Sequence, residues 1–409
     1  MTEARSDRRI EQLLRELTPT VLATMARRHQ RFELCEDAVQ EALLAASTQW
    51  SVDGIPENPH GWLVTAATRR WIEIWRSDTA RRHREDRSTD AIIAAETPTL
   101  SAQDDSLTLL FLCCHPALTP VSQVALTLRA VGGLTTAEIA RALLVPESTV
   151  AQRITRAKTR IRTSGARFVM PDNAERPARL AAVLHVLYLV FNEGYTASSG
   201  AHLHRVELST EAIRLTRMLR AELPDMGEIA GLLALMLLTD ARRPARTNAT
   251  GALIRLAEQD RSQWDQAAIA EGTALLSATL PNATIGPYQI QAAIAAIHDE
   301  APTAAETDWP QILGLYDILL TLMPGPMVTL NRIVALAMAR GPDVGLQALQ
   351  LAEPRLGGHY RIAAVRAHLL ELDGQPDQAR AQYTLAARTT LNLAERRYLQ
   401  GRAADVWRG

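Results

Sequence analysis

The amino-acid sequence predicts an all-α protein, on three observations. Apolar residues recur at helical spacing almost throughout, as in Leu13, Leu14, Leu17, Val21 and Leu22. Strand-like alternation is nearly absent. Gly, Pro and Asp/Asn clusters punctuate the helical runs. With 409 residues, 47% apolar and 22% charged, the chain is long enough for two to four domains, each with its own core. Disordered, collagenous and small disulfide-rich classes are excluded. The three cysteines, Cys35 and the adjacent Cys113 and Cys114, form no disulfide framework and fit a reducing compartment. No metal-ligand spacing occurs.

The N-terminal stretch from Met1 to Leu17 is charged throughout and lacks the apolar core of a signal peptide. The longest apolar stretches, Leu180–Phe191 and Ile229–Leu238, fall short of the ~20 residues a membrane span needs. The expected location is therefore cytoplasmic, with no membrane partner. Basic and acidic residues number 44 and 45, and Lys158 is the only lysine. Such an arginine skew reflects base composition of the gene, so raw arginine counts carry no functional weight.

Two breaks divide the chain. Glu85–Asp105 is polar and acidic, contains Pro98, and has little core-forming capacity beyond Ile92 and Ile93. It reads as a linker. A second break falls at Phe168–Pro177, where two prolines bracket Asp and Asn. The expected segments are 1–84, the linker 85–105, 106–168 and 169–409.

In the first segment, Asp37, Gln40 and Glu41 share one helical face by three- and four-residue spacing, while Val39 and Leu43 point elsewhere. Such an acidic and amide patch suits a basic protein partner. Further on, Pro59–Glu85 combines Trp62, Trp71 and Trp75 with Arg69, Arg70, Arg76, Arg81, Arg82 and Arg84. Aromatic planes stack on bases and guanidinium groups hold phosphates, so the pattern fits single-stranded or melted DNA. Tryptophans in helices also serve as core, and both uses remain open for this stretch.

The middle segment contains a helix-turn-helix between Gly133 and Arg162. Thr135 or Thr136 can cap a helix that turns Ile139, Ala140 and Leu143 inward. Val145-Pro146 breaks it, and a second helix starts at about Glu147. In such units the first residues of the second helix reach base edges in the major groove, and the rest of its polar face meets phosphates. Ser148, Thr149, Gln152 and Arg153 are placed to read bases. Arg156, Lys158, Arg160 and Arg162 are placed to meet the backbone. Basic residues cluster from Gln152 to Arg167 with no acidic ones among them, a local charge that the near-zero total conceals.

The order of these features resembles that of bacterial sigma factors of the extracytoplasmic-function type. The Asp37–Glu41 core is similar to the region-two motif that binds the β′ coiled coil of RNA polymerase. Trp62-Leu63 followed by Thr68–Arg76 resembles the part that melts and reads the -10 element. Leu134–Arg162 resembles region four, which reads the -35 element, and the linker stands where other sigma factors have a third region. The resemblance implies core RNA polymerase, through its β′ and β subunits, and promoter DNA as partners, and a nucleoid-associated location when bound. Two positions depart from the family's pattern: Arg69 stands where many members have asparagine, and Glu73 where aspartate is common. Pro116-Ala-Leu118, Phe191–Tyr195 and Leu238–Arg246 resemble a subgroup with a long helical C-terminal extension.

Within that extension the phrases from Pro326 onward alternate helix and turn, with small residues at packing positions. They fit helix–turn–helix repeats of the tetratricopeptide type, with a period of about 34 residues. His359–Leu372 and Pro376–Thr389, joined by Asp373-Gly374-Gln375, form the clearest unit. The polar groups Asn192, Glu193, Tyr195, His202, His204, Asp240, Arg242 and Arg243 read as hydrogen bonds and ion pairs at helix ends, and Gly194 and Gly200 as parts of a turn. Neither they nor Gly286–Gln289 supply a nucleophile, base and orienting group at catalytic spacing. His115 reads as an interhelical hydrogen-bond donor. The sequence thus predicts no catalytic residues, metal or cofactor, and a C-terminal domain that regulates the DNA-binding half. The reading that competes from another class is a helix-turn-helix regulator unrelated to sigma factors, using its repeats for a ligand or protein. Near-zero net charge further predicts weak DNA binding without polymerase.

Overall fold

The computed structural model describes residues 3–85, 102–143, 145–197, 203–248, 251–279, 284–356 and 361–406. They form eighteen α-helices and no strand, with one isolated bridge between Thr247 and Leu253. The chain divides into two compact units, Met1–Leu189 and Val190–Gly409.

The first unit opens with α1 (Glu3–His29), α2 (Phe32–Asp53) and α3 (Pro59–Glu85). In α2, Cys35, Ala38, Val39, Ala42 and Ala46 recur at helical spacing and are fully buried or nearly so, which fixes the face turned to α1 and α3. Asp37, Gln40 and Glu41 therefore lie on the opposite side. Helix α4 (Ala102–Cys113) begins earlier than the sequence suggests: residues 102–105 were expected in the linker. The reason is Asp105, only 4% exposed, whose carboxylate meets Arg27 of α1 at 3.0 Å. Residues 86–101, the rest of that expected linker, lie outside the described residues.

Helices α5 (Pro120–Ala130), α6 (Thr136–Leu143) and α7 (Glu147–Thr163) follow. Helix α6 starts with a reciprocal cap: the Glu138 N–H donates to Thr135 Oγ1 at 3.1 Å, and the Thr135 N–H donates to Glu138 Oε2 at 2.7 Å. Pro146 ends the turn and α7 begins at Glu147, as the sequence predicts. Val150, Ile154, Ala157 and Ile161 bury one stripe of α7. His115 accepts the Ala117 N–H at 3.1 Å on Nδ1. It thus closes its own turn instead of donating between helices.

The boundary between units lies within α8 (Arg176–Tyr195). The second unit continues with α9 (Val206–Glu222), α10 (Gly227–Asp240), α11 (Gln266–Thr279) and α12 (Pro287–Glu300). Nearly all of α10 is apolar and buried, so it can only be a central helix, and α9, α11 and α12 surround it. Close packing uses glycine: a Cβ on Gly231 would stand 2.7 Å from the Gln289 backbone nitrogen of α12.

Then come α13 (Trp309–Leu322), α14 (Pro326–Arg340), α15 (Pro342–Ala352), α16 (Arg361–Leu372), α17 (Pro376–Thr389) and α18 (Leu393–Asp405). Consecutive members pack as hairpins, the pattern expected of stacked repeats. The predicted α16–α17 unit turns at Gly374, whose φ of +71° favours glycine. Tyr383 closes it, donating its hydroxyl to Glu371 at 2.6 Å. Among the described residues no helix is long and apolar enough to cross a membrane.

Candidate nucleic-acid interface

With its apolar stripe buried, α7 turns Ser148, Gln152, Arg156, Arg160 and Arg162 to solvent, while Thr149 and Arg153 are half-buried at its edge. Five of the residues expected to touch DNA thus remain open on one helix. Lys158 does not. Its Nζ lies 2.8 Å from Glu36 Oε2 and 2.5 Å from Asp37 Oδ1 on α2. Burial pulls the ammonium group's pKa down, but the two carboxylates together outweigh it and hold the value above that of an ordinary lysine.

On α2, Asp37 and Glu41 are half-exposed and Gln40 is partly buried. With Glu36, they line an open cleft of about 450 Å³ whose other walls include Ile74, Arg129, Ala151, Ile154, Thr155 and Lys158. Glu36 is 2% exposed and accepts from Arg129 Nε at 3.1 Å. Sequence reasoning missed both residues. The available signal was a carboxylate inside the apolar stripe Cys35–Ala42, since a charge at a core-facing position needs a cation.

On α3 the three tryptophans are all half-buried. Trp71 stacks on His29 of α1 with ring centroids 3.8 Å apart, and Trp75 lies 6.1 Å from Trp71. Trp62 meets Trp50 edge-on at 5.6 Å. Trp71 and Trp62 thus touch rings of neighbouring helices, while Arg69, Arg70 and Arg76 are exposed. Arg70 is shared between Glu73 at 2.8 Å and Glu41 at 3.3 Å. Arg81, Arg82 and Arg84 lie outside the described side chains.

The polar segments of the second unit are joints. Arg246 Nη1 donates to the Tyr195 carbonyl at 2.5 Å, and its guanidinium covers the Tyr195 ring at 3.7 Å. His204 Nδ1 lies 2.8 Å from the same carbonyl. Burial, then Arg246, pushes the His204 pKa down to about 4, and burial raises that of the Tyr195 phenol. Both groups are held neutral, which suits a joint and not proton transfer near neutrality. Gly194 lies within the last turn of α8, against α9, and not in the turn the sequence suggests. Gly200 and His202 lie outside the described residues.

The Gly286–Gln289 segment starts α12, where the Glu228 carboxylate accepts from the Tyr288 and Gln289 N–H groups at 3.2 and 3.1 Å. A Cβ on Gly286 would stand 2.2 Å from Glu228 Cδ, so glycine makes room for this cap. Glu228→Ala is expected to cost about 1–2 kcal/mol of stability. The check is the denaturant midpoint against wild type. Among the described residues no group of three or more His, Cys, Asp or Glu side chains is placed to hold a metal ion.

Comparisons with known proteins fit this division. Sigma-70 region 2 matches residues 13–81, sigma-70 region 4 matches 108–161, and a family of unknown function (DUF6596) matches 179–280. An uncharacterized protein of Rhizobium meliloti (strain 1021) is 39% identical over 391 residues, covering 93% of this chain and 92% of the relative. No solved structure matches. With helices α1–α3 under the first match and the helix-turn-helix under the second, the chain belongs to the sigma-70 family as a sigma factor of the extracytoplasmic-function type with an additional C-terminal helical domain.

Proposed function

We propose that this sigma factor binds core RNA polymerase through the Asp37/Gln40/Glu41 face of α2, against the β′ coiled coil and with further contacts to β. In this reading the Arg69–Arg82 stretch of α3, including Arg70, Trp71, Trp75, Arg76 and Arg81, engages the -10 element. Helix α7 reads the -35 element with Ser148, Thr149, Gln152 and Arg153, while Arg156 and Arg160 meet phosphates and Lys158 is held by Glu36 and Asp37 instead. The domain boundaries follow: region two to residue 84, region four from 106 to 168, and the C-terminal domain from 169. The observation that carries the reading is the acidic and amide face of α2, left outward by a fully buried opposite stripe, within the segment that matches region two.

The chain itself carries no reaction in this account; phosphodiester synthesis belongs to polymerase. Capture of purified core polymerase tests it. Wild type is retained, and Asp37→Arg with Glu41→Arg loses most of that binding through like-charge contact. Equal retention of both would remove the docking face. For the DNA face, Arg156→Ala should weaken binding to any duplex. Arg153→Ala should weaken the cognate -35 element selectively, by about 1–3 kcal/mol in holoenzyme. Equal loss on random and cognate DNA would end the base-reading role of Arg153.

The C-terminal domain, in the same proposal, sets the activity of the two sigma regions. A run-off transcription assay comparing the full chain with one ending near Arg167 tests that role. Identical activity and polymerase affinity from both would overturn it.

A further inference from the structure

The second unit holds an open pocket of about 570 Å³, walled by α9, the end of α10, the turn at Arg243–Ala245 and the start of α11. The Asp265 N–H donates to the Ala241 carbonyl at 3.0 Å, which staples the start of α11 to the end of α10. Asp265 also caps α11, its Oδ1 accepting from the Ala267 and Ala268 N–H groups, both at 3.0 Å. Alanines at 241, 267 and 268 line the pocket where larger side chains would fill it. Its volume falls within the range of small-molecule sites, about 300–1,000 Å³. All of its lining lies within 179–280, the segment matched by the family of unknown function.

Six charges converge on this pocket and cancel: Arg214, Arg217 and Arg243 against Asp240, Asp265 and Glu271. Arg217 of α9 and Glu271 of α11 pair at 2.6 Å, both about half-exposed, so this bridge is screened and weak and can part to admit a molecule. Arg214 meets Glu211 at 2.7 Å. Asp240 and Arg243 differ from these. They approach only to 3.4 Å, with side chains 15% and 29% exposed, and Asp240 Oδ1 and Arg243 Nη1 are buried without a hydrogen-bond partner. Burial raises the Asp240 pKa and Arg243 works against it, as for a carboxylate short of donors. An acceptor and a donor left side by side in this way cost free energy until a molecule supplies both partners.

We infer that this pocket binds a small zwitterion of the free amino-acid class, its ammonium group on Asp240, its carboxylate on Arg243 and an aliphatic side chain against Ile213, Leu237 and Pro244. Such a molecule carries a donor and an acceptor close together, which is what the Asp240–Arg243 pair lacks, and both bonds are of the strong, charge-assisted kind. The cancelling charges of the lining select a ligand without net charge. An anion or a cation alone would serve one member of the pair and leave the other without a partner. The site does not depend on how polymerase is bound, and it gives the C-terminal domain a molecule to answer to.

Titration calorimetry of the full-length protein with the free L-amino acids, L-valine and L-leucine first, tests the site. One molecule should bind per chain, and the thermal transition should rise with its concentration. Asp240→Asn and Arg243→Gln, both close in shape to the originals, should each weaken binding by about tenfold or more. Ala267→Phe, at an exposed position of α11, should block the pocket without touching either charge. Isobutylamine and isovalerate, which keep only the ammonium or only the carboxylate group of L-valine, should bind at least about tenfold more weakly than the amino acid. Circular dichroism confirms that each variant is folded, and Ala267→Phe keeps the test decisive where a charge variant is not.

Neither heat nor a thermal shift from any L-amino acid at millimolar concentration would overturn the inference. Undiminished binding to the folded variants would place the site elsewhere and overturn it equally. An amine or carboxylate that binds as tightly as the amino acid would overturn the zwitterion.

Discussion

Arg242→Ala is expected to lower the stability of the C-terminal unit by about 3–5 kcal/mol, the cost of leaving a buried charge without its partner. Arg242 and Asp299 pair at 2.6 Å, with side chains 9% and 0% exposed. Arg242 also donates to the Ala295 carbonyl at 2.7 Å and lies over the Trp264 ring at 5.5 Å. Burial raises the Asp299 pKa and Arg242 works against it, so the truncated variant must protonate or hydrate that carboxylate. The transition of the C-terminal unit in thermal denaturation should fall by about 10 °C. Arg242→Met combined with Asp299→Leu should recover much of the loss, because an apolar pair of similar volume needs no desolvation of charge. Recovery would identify Arg242 as a joint. A double variant as unstable as the single one would assign Arg242 a role beyond this pair.

Gly194→Ala should be similarly damaging, for a steric reason. A Cβ there would lie 2.3 Å from the Ser209 backbone nitrogen and 2.9 Å from the Leu208 carbonyl carbon. No flexible side chain can yield, so α8 and α9 must separate, which strains the hydrogen bond from the Arg205 N–H to the Gly194 carbonyl at 2.7 Å. Overpacking of this kind costs about 1–3 kcal/mol, and more where backbone is the obstacle. Gly314→Ala and Gly401→Ala provide the opposite sign. A Cβ at either helical position meets nothing within 4 Å, so alanine should stabilise by about 0.5–1 kcal/mol. Equal behaviour of Gly194 and Gly314 in urea denaturation would remove the close-approach argument.

Helix identity was legible in the sequence because it depends on neighbours. The Thr135 cap, the Pro146 break and the outward face of Asp37, Gln40 and Glu41 all follow from residues within one or two turns. The turn at Gly374 is equally local. What escaped was pairing across the chain. Glu36 and Lys158 are 122 positions apart, and nothing near either one names the other. The same holds for Asp105, which extends α4 into the expected linker because Arg27 is there to receive it. Gly194 was misread as a turn because a glycine that admits a neighbouring helix and a glycine that bends the chain look alike in sequence. The tryptophans of α3 posed a question that composition leaves open: Trp71 stacks on His29 of α1 and Trp62 meets Trp50 of α2, while Arg69, Arg70 and Arg76 beside them are exposed.

The central claim is that this chain redirects core RNA polymerase to promoters of its own, and reconstituted transcription tests it most directly. Core polymerase is loaded with the full-length protein, genomic fragments bound by that complex are isolated, and run-off transcription is measured from them with and without the protein. The account predicts transcripts that start at defined sites only when the protein is present, and their loss with Asp37→Arg and Glu41→Arg. Fragments bound equally well by the protein alone, with no transcript that depends on it, would contradict the account and leave a DNA-binding regulator that does not work through the α2 face.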